Sequence, residues 1–252
     1  MPDSIKTWGG IAAASVKTYQ GIAKASVKTV NGISLAATDP NWASVVLLAL
    51  NENGADGTTS FIDQSSIART LTANGNAQWD TAAFPTGMTS SGLFDGTGDN
   101  VAAADSDDWD FPGDFTLEGM VKWSTGAIRI VTHWTGGVGW SSYVNTTTNM
   151  GFTANGSNFN ITCSALSGWH HVAWTRVGSG TNNCTAWLDG VSQGTFTNTT
   201  SFTGSNRMMI GQNDDGSFPQ GWIGWISNVR ITKGVARYTA GFTPPSLPLP
   251  TS

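Results

Sequence analysis

From about residue 39 onward the chain alternates short apolar and β-branched runs with Gly, Asn, Asp and Pro. Trp169-His170-His171-Val172-Ala173-Trp174 has period two, so His170, Val172 and Trp174 share one face of a strand. Val45 to Leu50 is a short, wholly apolar run of the kind that forms a buried strand. The pattern predicts strands at 45–50, 92–94, 115–123, 128–132, 149–153, 158–163, 169–176, 185–188, 208–210 and 221–231. The stretch between 169–176 and 185–188 is rich in Gly and Asn, which makes that pair a hairpin. No helix is predicted here. Many short strands at turn-punctuated spacing describe an all-β, two-sheet antiparallel sandwich.

The first 37 residues read differently. Ile5-Lys6-Thr7-Trp8-Gly9-Gly10-Ile11-Ala12 returns as Val16-Lys17-Thr18-Tyr19-Gln20-Gly21-Ile22-Ala23, and again as Val27-Lys28-Thr29-Val30-Asn31-Gly32-Ile33-Ser34. The period keeps Gly10, Gly21 and Gly32 in register, with Lys17 and Lys28 at equivalent places. Gln20-Gly21 and Asn31-Gly32 fit two-residue hairpin turns, with strands near 11–19 and 22–30. The repeat period also suits a helix, but the glycines and β-branched residues favour strand. Lone hairpins are marginal in water, so this segment is expected to anchor or oligomerise the chain. A flexible tail is the alternative. Asp39-Pro40 marks the boundary, giving segments 1–37 and 38–252.

Charged residues make up 12% of the chain, against roughly 25% in ordinary soluble domains, so its polar surface is mostly hydroxyl and amide. Twelve Trp and eleven Phe supply a large core. With 12 Lys and Arg, no basic cluster and a net charge of −5, nucleic acid is not an expected partner. No apolar run reaches the ~20 residues that span a bilayer, so no membrane insertion is expected. Met1 to Lys6 lacks a basic region followed by an apolar core, and no export signal is expected there. Cys163 and Cys184 fall on neighbouring predicted strands, either bonded or as two buried thiols.

Several motifs carry a resemblance. Ser91-Gly92-Leu93-Phe94-Asp95-Gly96-Thr97-Gly98-Asp99-Asn100-Val101, Phe111-Pro112-Gly113-Asp114-Phe115-Thr116-Leu117-Glu118 and Gly168-Trp169-His170-His171-Val172-Ala173-Trp174-Thr175-Arg176 occur in order. Trp187-Leu188-Asp189-Gly190-Val191 follows, and then Ile226 to Tyr238 with Phe242-Thr243-Pro244-Pro245. Over residues 42–248 this resembles the laminin G-like jelly-roll domain of the concanavalin A-like lectin and glucanase superfamily. The version with Ile231-Thr232-Lys233-Gly234-Val235-Ala236-Arg237-Tyr238 is similar to domains of bacteriophage structural proteins. The resemblance implies a virion fibre, spike or capsid decoration protein. Its repeats would contact other virion proteins, its assembly would be a homo-oligomer with a trimer as the guess, and its jelly-roll would face outward. A secreted or cell-surface bacterial adhesin is the alternative.

Candidate sites follow from residue chemistry. Asp95 and Asp99 flank a tight glycine turn, either as calcium ligands or as turn-forming Asx residues. Related domains often carry an acid where this chain has Asn228, whose amide can ligate calcium but adds no charge. Asn213-Asp214-Asp215-Gly216 is a second acidic turn. For sugar, the glycine-rich stretch His133 to Trp140 supplies Trp134 and Trp140, followed by Tyr143, with Asn213 and Asp214 as hydrogen-bonding partners. For each Trp taken singly the favoured reading is that it fills the sandwich core. The chain is not expected to be an enzyme. Its only glutamates, Glu52 and Glu118, lie far apart, and neither a Glu-x-Asp-x-x-Glu arrangement nor a Gly-x-Ser-x-Gly elbow occurs. A polysaccharide-degrading enzyme is the least favoured reading.

Overall fold

A computed structural model of the chain describes residues 38–124, 128–213 and 220–252, together with six two-residue strands in the repeats. Contacts divide the chain into Met1–Pro40 with Pro250–Ser252, and Asn41–Leu249. In the first unit β1 (Thr7–Trp8) pairs with β2 (Ile11–Ala12), β3 (Thr18–Tyr19) with β4 (Ile22–Ala23), and β5 (Thr29–Val30) with β6 (Ile33–Ser34). The pairs recur with the sequence period. They form three separate two-stranded sheets among the described residues, rather than the single meander of strands 11–19 and 22–30. Gly10, Lys17, Gly21, Lys28 and Gly32 lie outside the described residues.

The second unit is a sandwich of two antiparallel sheets. Its larger sheet contains β7 (Val45–Ala49), β9 (Gln78–Asp80), β10 (Ser91–Asp95), β12 (Phe115–Trp123), β17 (Trp169–Arg176), β18 (Cys184–Leu188), β19 (Val191–Phe196) and β21 (Ile223–Lys233). Its order is β19-β18-β17-β12-β21-β10-β9, with β7 also paired to β21. The smaller sheet contains β8 (Leu71–Asn74), β11 (Asn100–Ala103), β13 (Arg129–Thr135), β14 (Val138–Thr146), β15 (Asn149–Ala154), β16 (Ser157–Thr162) and β20 (Met208–Ile210). Its order is β16-β15-β14-β13-β20-β11-β8. This is the expected all-β jelly-roll sandwich.

Alternation fills the space between the sheets. Val172 and Trp174 enter the core, as period two requires, and meet Phe115, Leu117, Phe152, Trp140 and Ile231. Phe111 stacks 4.9 Å from Phe115 and lies 5.0 Å from Trp140, whose indole is parallel to Phe152. In the run Asp105 to Asp110 a short 3-10 turn, Asp107–Trp109, is capped by Ser106, with Trp109 fully buried. Cys163 and Cys184 belong to opposite sheets and are free, buried thiols. Burial raises both thiol pKa values, that of Cys184 to about 12.

Candidate functional site

The stretch 133–140, expected to be a loop that presents Trp, is a two-residue hairpin. Thr135 pairs with Val138, and Gly136 and Gly137 take φ of 57° and 93°, the left-handed pair that such a turn demands. Residues 130–175 contain no Asp, Glu, Lys or Arg, so this end of the smaller sheet is built from neutral groups alone. Beside the hairpin the loop 203–206 closes an open depression of about 430 Å3, lined by Thr135, Val138, Thr203, Gly204, Ser205 and Asn206.

His133 lies beneath Gly204, under the lining of the depression. A methyl group on Gly204 would come within 2.8 Å of the imidazole Cε1 and 3.4 Å of Nδ1, so the glycine lies directly over the ring. His133 is fully buried, and Nε2 lies 3.2 Å from Asp105 Oδ1. The carboxylate accepts a hydrogen bond from Nε2. Nδ1 is buried without a hydrogen-bond partner. The loop is held from below, where Gly204 N–H donates to Asp110 Oδ1 at 3.1 Å. Burial, opposed by that hydrogen bond, raises the Asp110 pKa. Val138 is 47% exposed at the rim. Hydroxyl and amide groups with one apolar side chain together suit a neutral polyhydroxylated ligand.

The outer face of the smaller sheet continues this neutral surface around one cation that sequence reasoning missed. Arg129 Nη1 donates to Ser141 Oγ at 3.2 Å and Thr153 Oγ1 at 3.0 Å, and Nε donates to Gln220 Oε1 at 2.7 Å. Its guanidinium lies 5.1 Å from the Tyr143 ring centroid. Tyr143 lies across Gly151, where a methyl group would come within 2.4 Å of Cζ, and its hydroxyl donates to Asn160 Oδ1 at 2.8 Å. Thr153 donates to Asn158 Oδ1 at 2.7 Å. Both amides therefore turn their NH2 groups away from the sheet. Nothing in the sequence marked Arg129, because its partners come from separate strands and a distant loop.

The remaining candidates disperse. Trp140 is in the core and donates from Nε1 to Trp109 O at 2.8 Å; Tyr143 and Trp134 are also buried. Trp140 occupies the core position of the alternative reading, Tyr143 is buried on the outer face beside Arg129, and none of the three offers an open ring face. Asn213 is buried with both amide atoms unpartnered, and Asp214 lies outside the described residues. Asp95, Asp99 and Asn228 are not brought together. Asp95 accepts from Thr97 N–H and Asp99 from Asp95 N–H within the turn, and Asp99 also accepts from Asn76 N–H of the β8–β9 connection. Asp95 pairs with Ile223, five residues along β21 from Asn228, or about 16 Å of strand. No cluster of three metal-ligating acids, His or Cys occurs among the described residues.

Glu118 is occupied structurally. It accepts from Arg230 Nε at 2.9 Å, His171 Nε2 at 3.0 Å and Tyr238 OH at 2.6 Å, with Arg237 Nε at 3.9 Å. Burial alone would raise its pKa; Arg230, reinforced by His171 and Tyr238, overrides this and holds it at about 2. Tyr238 stacks on Phe242 at 3.6 Å, and Phe242 meets His171 and Trp187 edge-on. The motif residues 118, 171, 230, 237, 238 and 242 thus fasten the C-terminal segment across the larger sheet.

No family model and no curated protein matches the chain. Solved structures do. The binding domain of Paraclostridial Mosquitocidal Protein 1 aligns with TM-score 0.58 at 12% identity, over 76% of this chain and 49% of that one. The botulinum neurotoxin serotype D binding domain gives 0.57 at 13%, over 77% and 49%. The binding domain of Botulinum Neurotoxin DC in complex with SialylT gives 0.55 at 17%, over 77% and 49%. The chain spans about half the length of these structures. At such identity the likeness is one of fold, and it places the second unit among lectin-like jelly-roll β-sandwiches.

Proposed function

We propose that residues 41–249 form a carbohydrate-binding module that recognises its ligand without turning it over. The observation that carries this reading is the depression between the β13–β14 turn and loop 203–206. Its lining offers hydroxyls, an amide and the exposed Val138. A sugar presents hydroxyl donors to such acceptors and C–H faces to such an apolar rim. The charge-free stretch 130–175 favours a neutral sugar surface over an ionic one. The binding domains that share the fold, one of them in complex with SialylT, support the same class.

The test is a glycan array with the full chain, followed by titration of the best ligand. Ser205→Ala and Asn206→Ala change no core contact, and each is expected to weaken binding about tenfold, the effect of one lost polar contact. Binding that survives both substitutions unchanged would overturn the site, and an array with no ligand would overturn the class. On the resemblance of its closing motif, we place the protein on a phage particle, anchored through the 1–37 repeats. Immunogold labelling of released particles tests this: label on cell envelopes or in the medium alone would move it to an adhesin.

A further inference from the structure

The free edges of the two sheets differ in one respect. Natural sheets blunt their edges, because unpaired backbone N–H and C=O groups recruit other strands. Here β9 has three residues and ends on Asp80, and β8 has four. The β18–β19 ladder is bulged at Ala186/Trp187, and Leu48 of β7 is already bonded to Asp63 and Gln64. Strand β16, Ser-Asn-Phe-Asn-Ile-Thr, has none of these devices among the described residues. It is six residues long, uncharged and free of proline, and its ladder to β15 runs through all six pairs without a register shift.

Its free backbone groups can be assigned. Cys163 N–H donates to Thr148 O, so the hydrogen-bonded pairs with β15 fall on the odd residues 157, 159 and 161. Asn158, Asn160 and Thr162 therefore direct N–H and C=O away from the sheet, and their side chains are exposed. The strand is self-complementary when turned end for end. With Asn160 opposite Asn160 of a second copy, Asn158 faces Thr162 and Phe159 faces Ile161. Outward residues meet outward ones and apolar meet apolar. The three even-numbered positions then form three hydrogen-bonded pairs, with two bonds in each. The absence of Asp, Glu, Lys and Arg from 130–175 removes like-charge repulsion at this edge, although the chain carries net charge −5.

We infer that β16 is an interface for a second copy of this chain, joining two smaller sheets antiparallel across a twofold axis. Such an isologous contact closes on itself as a pair. It is independent of whether the depression binds sugar.

Sedimentation equilibrium of the full chain tests it. The wild type is expected to contain an even number of chains. Asn158→Lys with Thr162→Lys sets like charges against each other in both outer pairs and is expected to raise the dissociation constant about tenfold or more. Asn158→Lys with Thr162→Glu places opposite charges in the same pairs and is expected to restore association, which also controls for folding. A wild-type monomer, an odd-numbered assembly, or a mass unchanged by the double lysine substitution would overturn the interface. Failure of the lysine–glutamate chain to recover would overturn the register.

Discussion

Replacing Glu118 by Gln isolates the cluster beneath the C-terminal segment. The amide keeps the shape of the side chain but removes the carboxylate that faces Arg230, Tyr238 and His171, with Arg237 close by. The side chain is 1% exposed, so solvent cannot replace the lost charge. A carboxyl held at about 2 instead of 4.5 reflects about 3 kcal/mol of net stabilisation of its charged form, at ~1.4 kcal/mol per tenfold change in proton affinity. Breaking one partner of a buried pair generally costs about 3–5 kcal/mol, which agrees. Urea unfolding followed by tryptophan fluorescence measures it. With an m-value of about 2 kcal/mol/M, the midpoint falls by about 1.5 M. The pH dependence follows from the same group. Its folded pKa lies below the unfolded value, so its contribution is fully present above about 4.5 and is lost as pH falls towards 2. Wild-type stability therefore declines through that window, and the Glu118→Gln chain shows a shallower decline. A loss under about 1 kcal/mol, or identical acid profiles, would refute the assignment of Glu118 as the electrostatic anchor.

Two further outcomes are expected. Arg176, 1% exposed, donates to Gly113 O and Thr200 O and lies over Phe115 and Phe202, so its planar fork ties segment 111–113 to segment 198–202. Arg176→Lys cannot reproduce that fork and should lose about 2–3 kcal/mol in the same urea assay; a loss near zero would show that charge alone suffices. Cys163 and Cys184, buried and with raised pKa values, should not react with a thiol reagent at pH 8 until the protein is unfolded, when both should react. Prompt labelling of either in the native protein would contradict their burial.

The strands that sequence patterning located well are those with aromatic or β-branched runs. β12, β17 and β20 match their expected bounds residue for residue. β8, β9, β11, β14 and β19 were missed. Each is either very short or mixes small polar residues with glycine, which blurs the period-two signal. In β14, Trp140 and Val144 enter the core while Ser141 and Tyr143 face outward; Gly136, Gly137 and Gly139 made the same stretch read as a loop. The motif residues Glu118, His171, Arg230 and Tyr238 were legible as a pattern, but their common role was not. They lie on separate strands and a trailing segment, and only the sheet register sets them around one carboxylate.

The sequence by itself determined an all-β sandwich preceded by repeats, because hydrophobic alternation and turn chemistry are local and written residue by residue. It also determined a surface with few charges. Tertiary structure decided what that surface does. It buried Trp134, Trp140 and Tyr143, separated Asp95 and Asp99 from Asn228, and set Gly204, which lies over His133, in the lining of a neutral depression. Those outcomes depend on which strands lie side by side and at what register. Many residues of the two sheets settle that together, and no local pattern encodes it.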